Sequence, residues 1–258
     1  MDHASHHFKE ITLLITHYNR SKSLARLLSH FRKLDCSFGD IVVSDDGSKP
    51  QHLSELEKLK TEYLFQLITT PVNKGLGNNI NKGQDAVRTP YTIYVQEDFL
   101  ATADFTTHLL DAFEFMQERQ DLDIVRFYAY YKYPYLVPYK KGFSEMKIPP
   151  IALNYTKIYF YSDHPHLRRS SFLEKFGRYA EGIKGDKTEY NMCVHFIQKK
   201  GKGLFYDDFK GLFDQVNSEA EPSTVTRSIW TQSKNPFIKF PRDLYRQVKY
   251  NYDLKFSR

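Results

Sequence analysis

The chain is poor in cysteine, has no long apolar run and carries no excess of charge over most of its length. Each shortage closes off a class of function. Cys36 and Cys193 are the only cysteines in 258 residues, far apart and outside any CxxC or ligand-like spacing. Neither a disulfide framework nor a zinc site is therefore expected, and a reducing compartment is the natural setting. No stretch approaches the roughly 18 consecutive apolar residues that a membrane-spanning helix needs. The opening MDHASHHFKE lacks the basic and apolar regions of an export signal. It reads as a disordered terminus over residues 1–9, with His3, His6 and His7 scattered rather than grouped around a metal. No nucleic-acid reader motif is present. The net charge of +6 is unevenly spread: from Pro222 onward eight basic residues face only Asp243 and Asp253, so the preceding residues are balanced. The basic segment, 222–258, is interleaved with Phe237, Ile238, Phe240, Leu244, Tyr245, Val248 and Tyr252. That pattern suits an anionic surface, or else a helix that closes the domain or binds a partner chain.

What the chain does have is 41% hydrophobic content, enough for the core of one large α/β domain, expected over residues 10–221. Aromatic residues reach 16%, with 19 Tyr and 20 Phe, which fits clefts that stack planar or sugar-like ligands and equally fits a large core. The organising stretch is YTIYVQEDFL, residues 91–100, where a β-branched and aromatic run stops at two adjacent carboxylates, Glu97 and Asp98. A continuous apolar run of this length predicts a strand buried on both faces of a parallel sheet, with the acids at its carboxyl edge. Open α/β sheets bind ligands at that edge, so the pair is placed to hold a cation, a ribose hydroxyl or both; the plainer reading is a solvated turn.

Taken in order, ITLLIT at residues 11–16 predicts a first strand, followed by HYNR and a helix with Leu24, Leu27, Leu28 and Phe31 on one face. A second strand at residues 41–43 again ends in acids, SDDGS, before a helix through Leu53, Leu56 and Leu59 and a third strand at residues 65–69. This βαβαβ rhythm predicts a mostly parallel sheet. The Gly- and Asn-rich GLGNNINKG that follows either lets backbone approach a nucleotide or is a tight loop. A helix through Phe105, Leu109, Leu110 and Phe113 and a strand at residues 124–128 come next. Residues 128–139, YAYYKYPYLVPY, either cover the sheet or line a cleft, and residues 140–150 read as a mobile loop. A strand is expected at residues 154–161, ending in SDHPHLRRS, a dense set of ionisable groups. Asp186 then precedes a helix containing Met192, Cys193, Phe196 and Ile197, where the helix dipole favours an acid.

The ordered set TxYNR after the first strand, SDDGS after the second, NKGLGNNINKG and then YVQED resembles the nucleotide-sugar-binding half of the family 2 glycosyltransferases. The similarity is specific over residues 10–100, looser to about residue 215 and absent from the basic tail. It implies a GT-A fold, a Rossmann-like mixed but mostly parallel sheet flanked by helices. It also implies an inverting enzyme that moves a sugar from a nucleotide diphosphate to an acceptor hydroxyl. On that resemblance Thr16, Tyr18 and Arg20 border the nucleotide, and Asp45 or Asp46 accepts the N3–H of a uracil-type base. Glu97 lies near the ribose or metal-bound water, and Asp98 binds Mn²⁺ or Mg²⁺. Gln96 stands where many relatives have another Asp. Asp186, or second Glu189, is the general base, while His164 and Arg169 face the sugar, acceptor or pyrophosphate. The resemblance further implies surface polysaccharide synthesis on a carbohydrate or lipid-linked acceptor, without nucleic acid. The expected location is the cytoplasm, with peripheral contact at the inner membrane face through the tail. The other reading is a non-catalytic nucleotide-sugar or carbohydrate-binding protein of the same fold.

Overall fold

The computed structural model describes residues 6–216 and 236–256, without the side chains of residues 236–239. The chain opens with β1 (His6–His17), α1 (Ser21–Lys33), β2 (Cys36–Asp45), α2 (Pro50–Tyr63), β3 (Gln66–Ile68), α3 (Leu76–Ala86) and β4 (Tyr91–Gln96). It continues with β5 (Phe99–Ala101), α4 (Phe105–Glu118), β6 (Ile124–Arg126), β7 (Leu136–Pro138) and β8 (Phe143–Met146). A 3-10 helix (Tyr155–Phe160), β9 (His166–Arg169), α5 (Phe172–Phe176), α6 (Gly185–Gln198), β10 (Gly203–Tyr206), β11 (Phe213–Gln215) and α7 (Pro236–Phe256) complete the described elements.

Nine strands form one sheet in the order β3-β2-β1-β4-β9-β6-β10-β8-β7. The first four run parallel, β9 is antiparallel to both β4 and β6, β10 is parallel to β6, and β8 is antiparallel to β10 and β7. β5 and β11 pair separately, antiparallel. This is the expected GT-A architecture, α/β with a mostly parallel sheet between helical layers.

The strands at the centre are apolar on both faces because both faces are covered. Ile11, Leu13 and Ile15 of β1, with Ile93 and Val95 of β4, pack under Leu24, Leu27 and Phe31 of α1 and Phe105, Leu109 and Phe115 of α4. Leu14, Val42 and Tyr94 point the other way, toward Ile80 of α3, Phe172 and Phe176 of α5, and Met192, Cys193 and Phe196 of α6. The glycines of α3 serve this packing. A Cβ on Gly83 would stand 2.7 Å from Leu14 Cδ1, and one on Gly77 would stand 2.2 Å from the Ala180 carbonyl oxygen. Only glycine lets the helix seat so closely at positions 77 and 83.

Several expectations change. β1 begins at His6, so residues 6–9 are strand rather than disordered terminus, and His3 lies outside the described residues. Where a strand is expected over residues 154–161, Tyr155–Phe160 form the 3-10 helix, capped by the Asn154 side chain, which accepts the Thr156 N–H at 2.9 Å. The expected loop at 140–150 contains β8, held between β10 and β7. Of the basic tail, residues 222–235 lie outside the description. α7 docks on the domain through Lys157 Nζ to Asn251 Oδ1 at 2.7 Å and Tyr190 Oη to Asp253 Oδ2 at 2.5 Å. Among the described residues no helix is long and apolar enough to cross a membrane.

Candidate active site

The carboxyl ends of β1, β2 and β4 lie side by side, Thr16 level with Ser44 on one side and Gln96 on the other. The turn that follows each strand therefore opens on one edge. After β1 the turn is built around His17, which is buried. His17 donates from Nδ1 to Asp45 Oδ1 at 2.8 Å and accepts the Arg20 N–H on Nε2 at 3.1 Å, a pairing that fixes its tautomer. Asn19 takes a left-handed φ of 54°, which asparagine tolerates, and its side chain accepts the Lys49 N–H at 2.8 Å. Thr16 Oγ1 lies 3.0 Å from the Tyr94 hydroxyl, and Tyr18 is half-buried.

Asp45 and Asp46 are both buried, and both are already engaged. Asp45 also accepts the Ser48 N–H at 3.0 Å and the Ser48 hydroxyl. Burial raises its pKa, but the bonds to His17 and Ser48 outweigh that and hold it below the usual carboxylate range. Asp46 accepts the Lys74 N–H on Oδ1 and the Gly75 N–H on Oδ2, each at 2.8 Å. Burial is the larger effect there and pushes the Asp46 carboxyl up. Asn79 adds a further tie, accepting from Ser44 Oγ at 2.7 Å and donating to the His17 carbonyl at 3.2 Å.

Arg20 is drawn across this edge. Its Nη1 stands 3.4 Å from Glu97 Oε1 and 3.4 Å from Asp98 Oδ2. Burial raises the pKa of Glu97 to about 7, with Asp98 adding to the rise and His17 and Arg20 opposing it. Asp98 is clamped from the far end of the chain: Gln215 Nε2 donates to its Oδ2 at 2.9 Å, and the Val216 N–H bonds its carbonyl at 2.8 Å. Tyr130 in turn donates to Gln215 Oε1 at 2.9 Å. Asp98 Oδ1 is buried with no protein partner. Gln96, the last residue of β4, is half-buried.

The opposite wall is the segment before β9. Ser162 Oγ donates to Glu189 Oε1 at 2.9 Å and lies 2.7 Å from His164 Nδ1, while the Asp163 N–H bonds the same Glu189 oxygen at 3.1 Å. Rings surround His164 edge-on, with Tyr130 at 4.6 Å, Tyr128 at 5.5 Å and Phe99 at 6.1 Å between centroids. The aromatic stretch thus divides. Tyr128 and Tyr130 border the wall, whereas Tyr133 is buried and stacks on Phe160 in the core. Behind the wall runs a chain of donors. Arg168 Nη1 bonds Tyr179 Oη at 3.0 Å, Tyr179 meets Tyr161, and Tyr161 Oη donates to Asp163 Oδ1 at 2.7 Å. Burial, and next the charge of Glu189, raise the Asp163 pKa to about 7. Its Oδ2 is buried without a partner.

The sequence matches glycosyl transferase family 2 over residues 12–177. The chain belongs to that family. Among curated family relatives, poly-beta-1,6-N-acetyl-D-glucosamine synthase of Staphylococcus epidermidis is 23% identical over 104 residues. That match takes in 40% of this chain and 25% of the relative, so the chain spans about a quarter of the curated relatives it matches. Among solved structures, S. aureus TarS 1-349 in complex with UDP-GlcNAc superposes with a TM-score of 0.63 at 18% identity, covering 96% of this chain and 74% of that one. The mannosyltransferase PcManGT of Pyrobaculum calidifontis, in complex with GDP-Man and Mn²⁺, gives 0.60 at 12% identity over 96% of this chain and 70% of that one. At such identities the likeness establishes the shared fold.

Within this family 2 fold the residues singled out in the sequence do not all meet. Thr16, Tyr18, Arg20, Asp45, Asp46, Glu97 and Asp98 gather at the β1–β2–β4 edge, and His164 and Glu189 form the facing wall. Asp186 is exposed in the first turn of α6 and accepts the Lys187 N–H at 2.9 Å. Arg169 is elsewhere. It pairs with Tyr91 at the start of β4, and its guanidinium bonds the carbonyls of Leu122, Met116 and Arg119 at 2.9, 2.8 and 3.1 Å. It caps the end of α4 and does not reach the site. Sequence reasoning passed over His17, Asp163 and Gln215. The ionisable density of SDHPH pointed toward Asp163, whereas nothing in the sequence marks Gln215. For a divalent cation, the unpartnered Asp98 Oδ1 is a suitable oxygen donor. Among the described residues no group of three or more His, Cys, Asp or Glu side chains gathers for one.

Proposed function

We propose that this protein is an inverting glycosyltransferase. It would move a sugar from a nucleotide-diphosphate sugar, a UDP-sugar first, to the hydroxyl of a carbohydrate or lipid-linked acceptor in bacterial surface polysaccharide synthesis, at the cytoplasmic membrane face. The observation that carries the reading is the meeting of Arg20, Glu97 and Asp98 at the carboxyl edge of β1 and β4, with Asp98 Oδ1 buried and unpartnered, in a chain of family 2. The nucleotide complexes of TarS and PcManGT support a nucleotide-sugar donor.

In this reading His17, Asn19 and the two aspartates shape the pocket for the base and ribose, and Glu97 meets the ribose. Asp98 would hold Mn²⁺ or Mg²⁺, which when bound neutralises charge on the departing nucleoside diphosphate. His164, walled by Tyr128 and Tyr130, contacts the sugar or acceptor. Asp186, exposed at the start of α6, takes the acceptor's proton as the hydroxyl attacks. Glu189 orients the Ser162–His164 wall through its two bonds there.

Calorimetric titration of UDP in the presence of Mn²⁺ tests the reading, repeated with chelator and with Asp98→Ala. Binding that needs both metal and Asp98 is expected. Equal binding without either would overturn the assignment, and a response to GDP alone would change the donor class.

A further inference from the structure

The outer face of α7 has no role in the proposed chemistry, yet its pattern is regular. At 100° per residue, Phe240, Leu244, Tyr245, Val248, Tyr252 and Phe256 all fall within one half of the helix circumference. They are 56–73% exposed. The other half, with Arg246, Gln247, Tyr250, Asp253 and Leu254, packs on the 3-10 helix and α6. The loop beside α7 adds to the outer face. Ala152 is tied to the helix by a Gln247 Nε2 bond to its carbonyl at 3.3 Å, and its neighbours Ile151 and Leu153 are each 79% exposed. Eight large apolar side chains thus project from two adjoining elements.

Charge decides what covers them. The two acids of the helix sit on the packed half: Asp253 is bonded by Tyr190 and Lys249, and Asp243 pairs with Arg242. No exposed residue between 240 and 256 is acidic, and Lys255 lies within the exposed half. Lys249 stands at its border with 40% of its side chain in solvent.

We propose that this face of α7, with Ile151 and Leu153, docks on an anionic lipid surface, the helix lying in the plane of the interface. Tyr245, Tyr252 and the two phenylalanines enter the boundary between headgroups and acyl chains, and Lys255 meets the headgroups. Because α7 packs on α6, the helix that begins with Gly185 and Asp186 then stands directly over the membrane. This would bring a lipid-linked acceptor to the candidate base, a consequence that rests on the glycosyltransferase reading; the docking itself does not.

Flotation of the full chain with phosphatidylglycerol–phosphatidylcholine vesicles and with phosphatidylcholine alone tests the proposal. Light scattering accompanies it, and UDP titration runs in parallel as a check on the donor site. Selective flotation with the anionic vesicles is expected, weakened by 0.5 M salt as screening predicts. Val248→Glu/Tyr252→Glu should lower the partition coefficient by about a hundredfold, since each change removes apolar contact worth roughly tenfold. These exposed positions leave the fold intact, which an unchanged thermal midpoint and unchanged UDP binding verify. Equal partition of wild type and variant would overturn the proposal. So would a wild-type dimer that the variant dissociates without any flotation, which would assign the face to a second copy.

Discussion

Asp46→Asn changes one atom and separates two roles for this residue. In the structure both carboxylate oxygens of Asp46 are taken by backbone, Lys74 N–H and Gly75 N–H at 2.8 Å each, and these bonds hold the turn that leads into α3. A hydrogen bond to a charged group contributes about 1.5–3 kcal/mol. Asparagine keeps one acceptor and points its amide hydrogens at the second N–H, so one bond is lost, one weakens to a neutral bond and two donors confront each other. Water reaches the exposed Lys74 and recovers part of that, leaving a net cost of about 2–3 kcal/mol. For a chain of this size each kcal/mol lowers the melting midpoint by about 2–4 °C, so a fall of about 4–12 °C is expected. Differential scanning calorimetry reads it directly, with UDP titration on the same samples. A midpoint within 1 °C of wild type, with UDP affinity alone reduced, would refute the clamp and make Asp46 solely a ligand of the base; "1 °C" here is roughly the scale of a surface substitution.

Asp186→Asn should leave UDP binding intact and stop transfer, whereas Glu189→Gln, which keeps a carbonyl acceptor for Ser162, should retain measurable transfer; the reverse order would make Glu189 the base. Gly83→Ala drives a methyl group to 2.7 Å from Leu14 Cδ1 and 2.9 Å from Ser44 Cβ. It should cost about 1–3 kcal/mol by urea denaturation, and an unchanged midpoint would mean that α3 is not seated as described. Asp163 is held protonated up to about 7 in the fold against a usual 3.8, by burial first and the Glu189 charge second. The folded state therefore binds the proton more tightly, and this group's contribution is full at low pH and is lost as pH rises from about 4 toward 7. In Asp163→Asn that part of the decline should vanish from a stability–pH profile; a profile parallel to wild type would place the shift elsewhere.

The parallel half of the fold was legible because each central strand is buried on both faces and so leaves a short continuous apolar run, as ITLLIT and YTIYV do. The site residues at those strand ends were legible for the same reason, since an abrupt change from apolar to acidic locates the edge. Legibility fell where pairing is non-local. β9 is four residues long and rich in charge, and HLRR gives no strand signal of its own; Leu167 alone faces the core beneath α4, while buried Arg168 donates hydrogen bonds to Gln84 and Tyr179. Arg169 looked functional beside His164, but the three steps of β9 from His166 carry it some 10 Å further, to the far end of β4. Gln215 reaches Asp98 over 117 positions of sequence, a distance that no local pattern encodes.

The reversed strand β9 also sets an order on assembly. β4 is hydrogen-bonded to β1 on one side and to β9 on the other, and β6 likewise waits on β9. A growing chain that has released residues 6–96 owns every element of the β3-β2-β1-β4 unit, yet its strand YTIYVQ is uncharged and open along one edge. Such an edge invites pairing with another chain until residues 166–169 emerge and cover it. Residues 162–164 of the active-site wall and residues 166–169 that seal the edge are thus delivered together, and a chain interrupted before them would be both inactive and prone to aggregate.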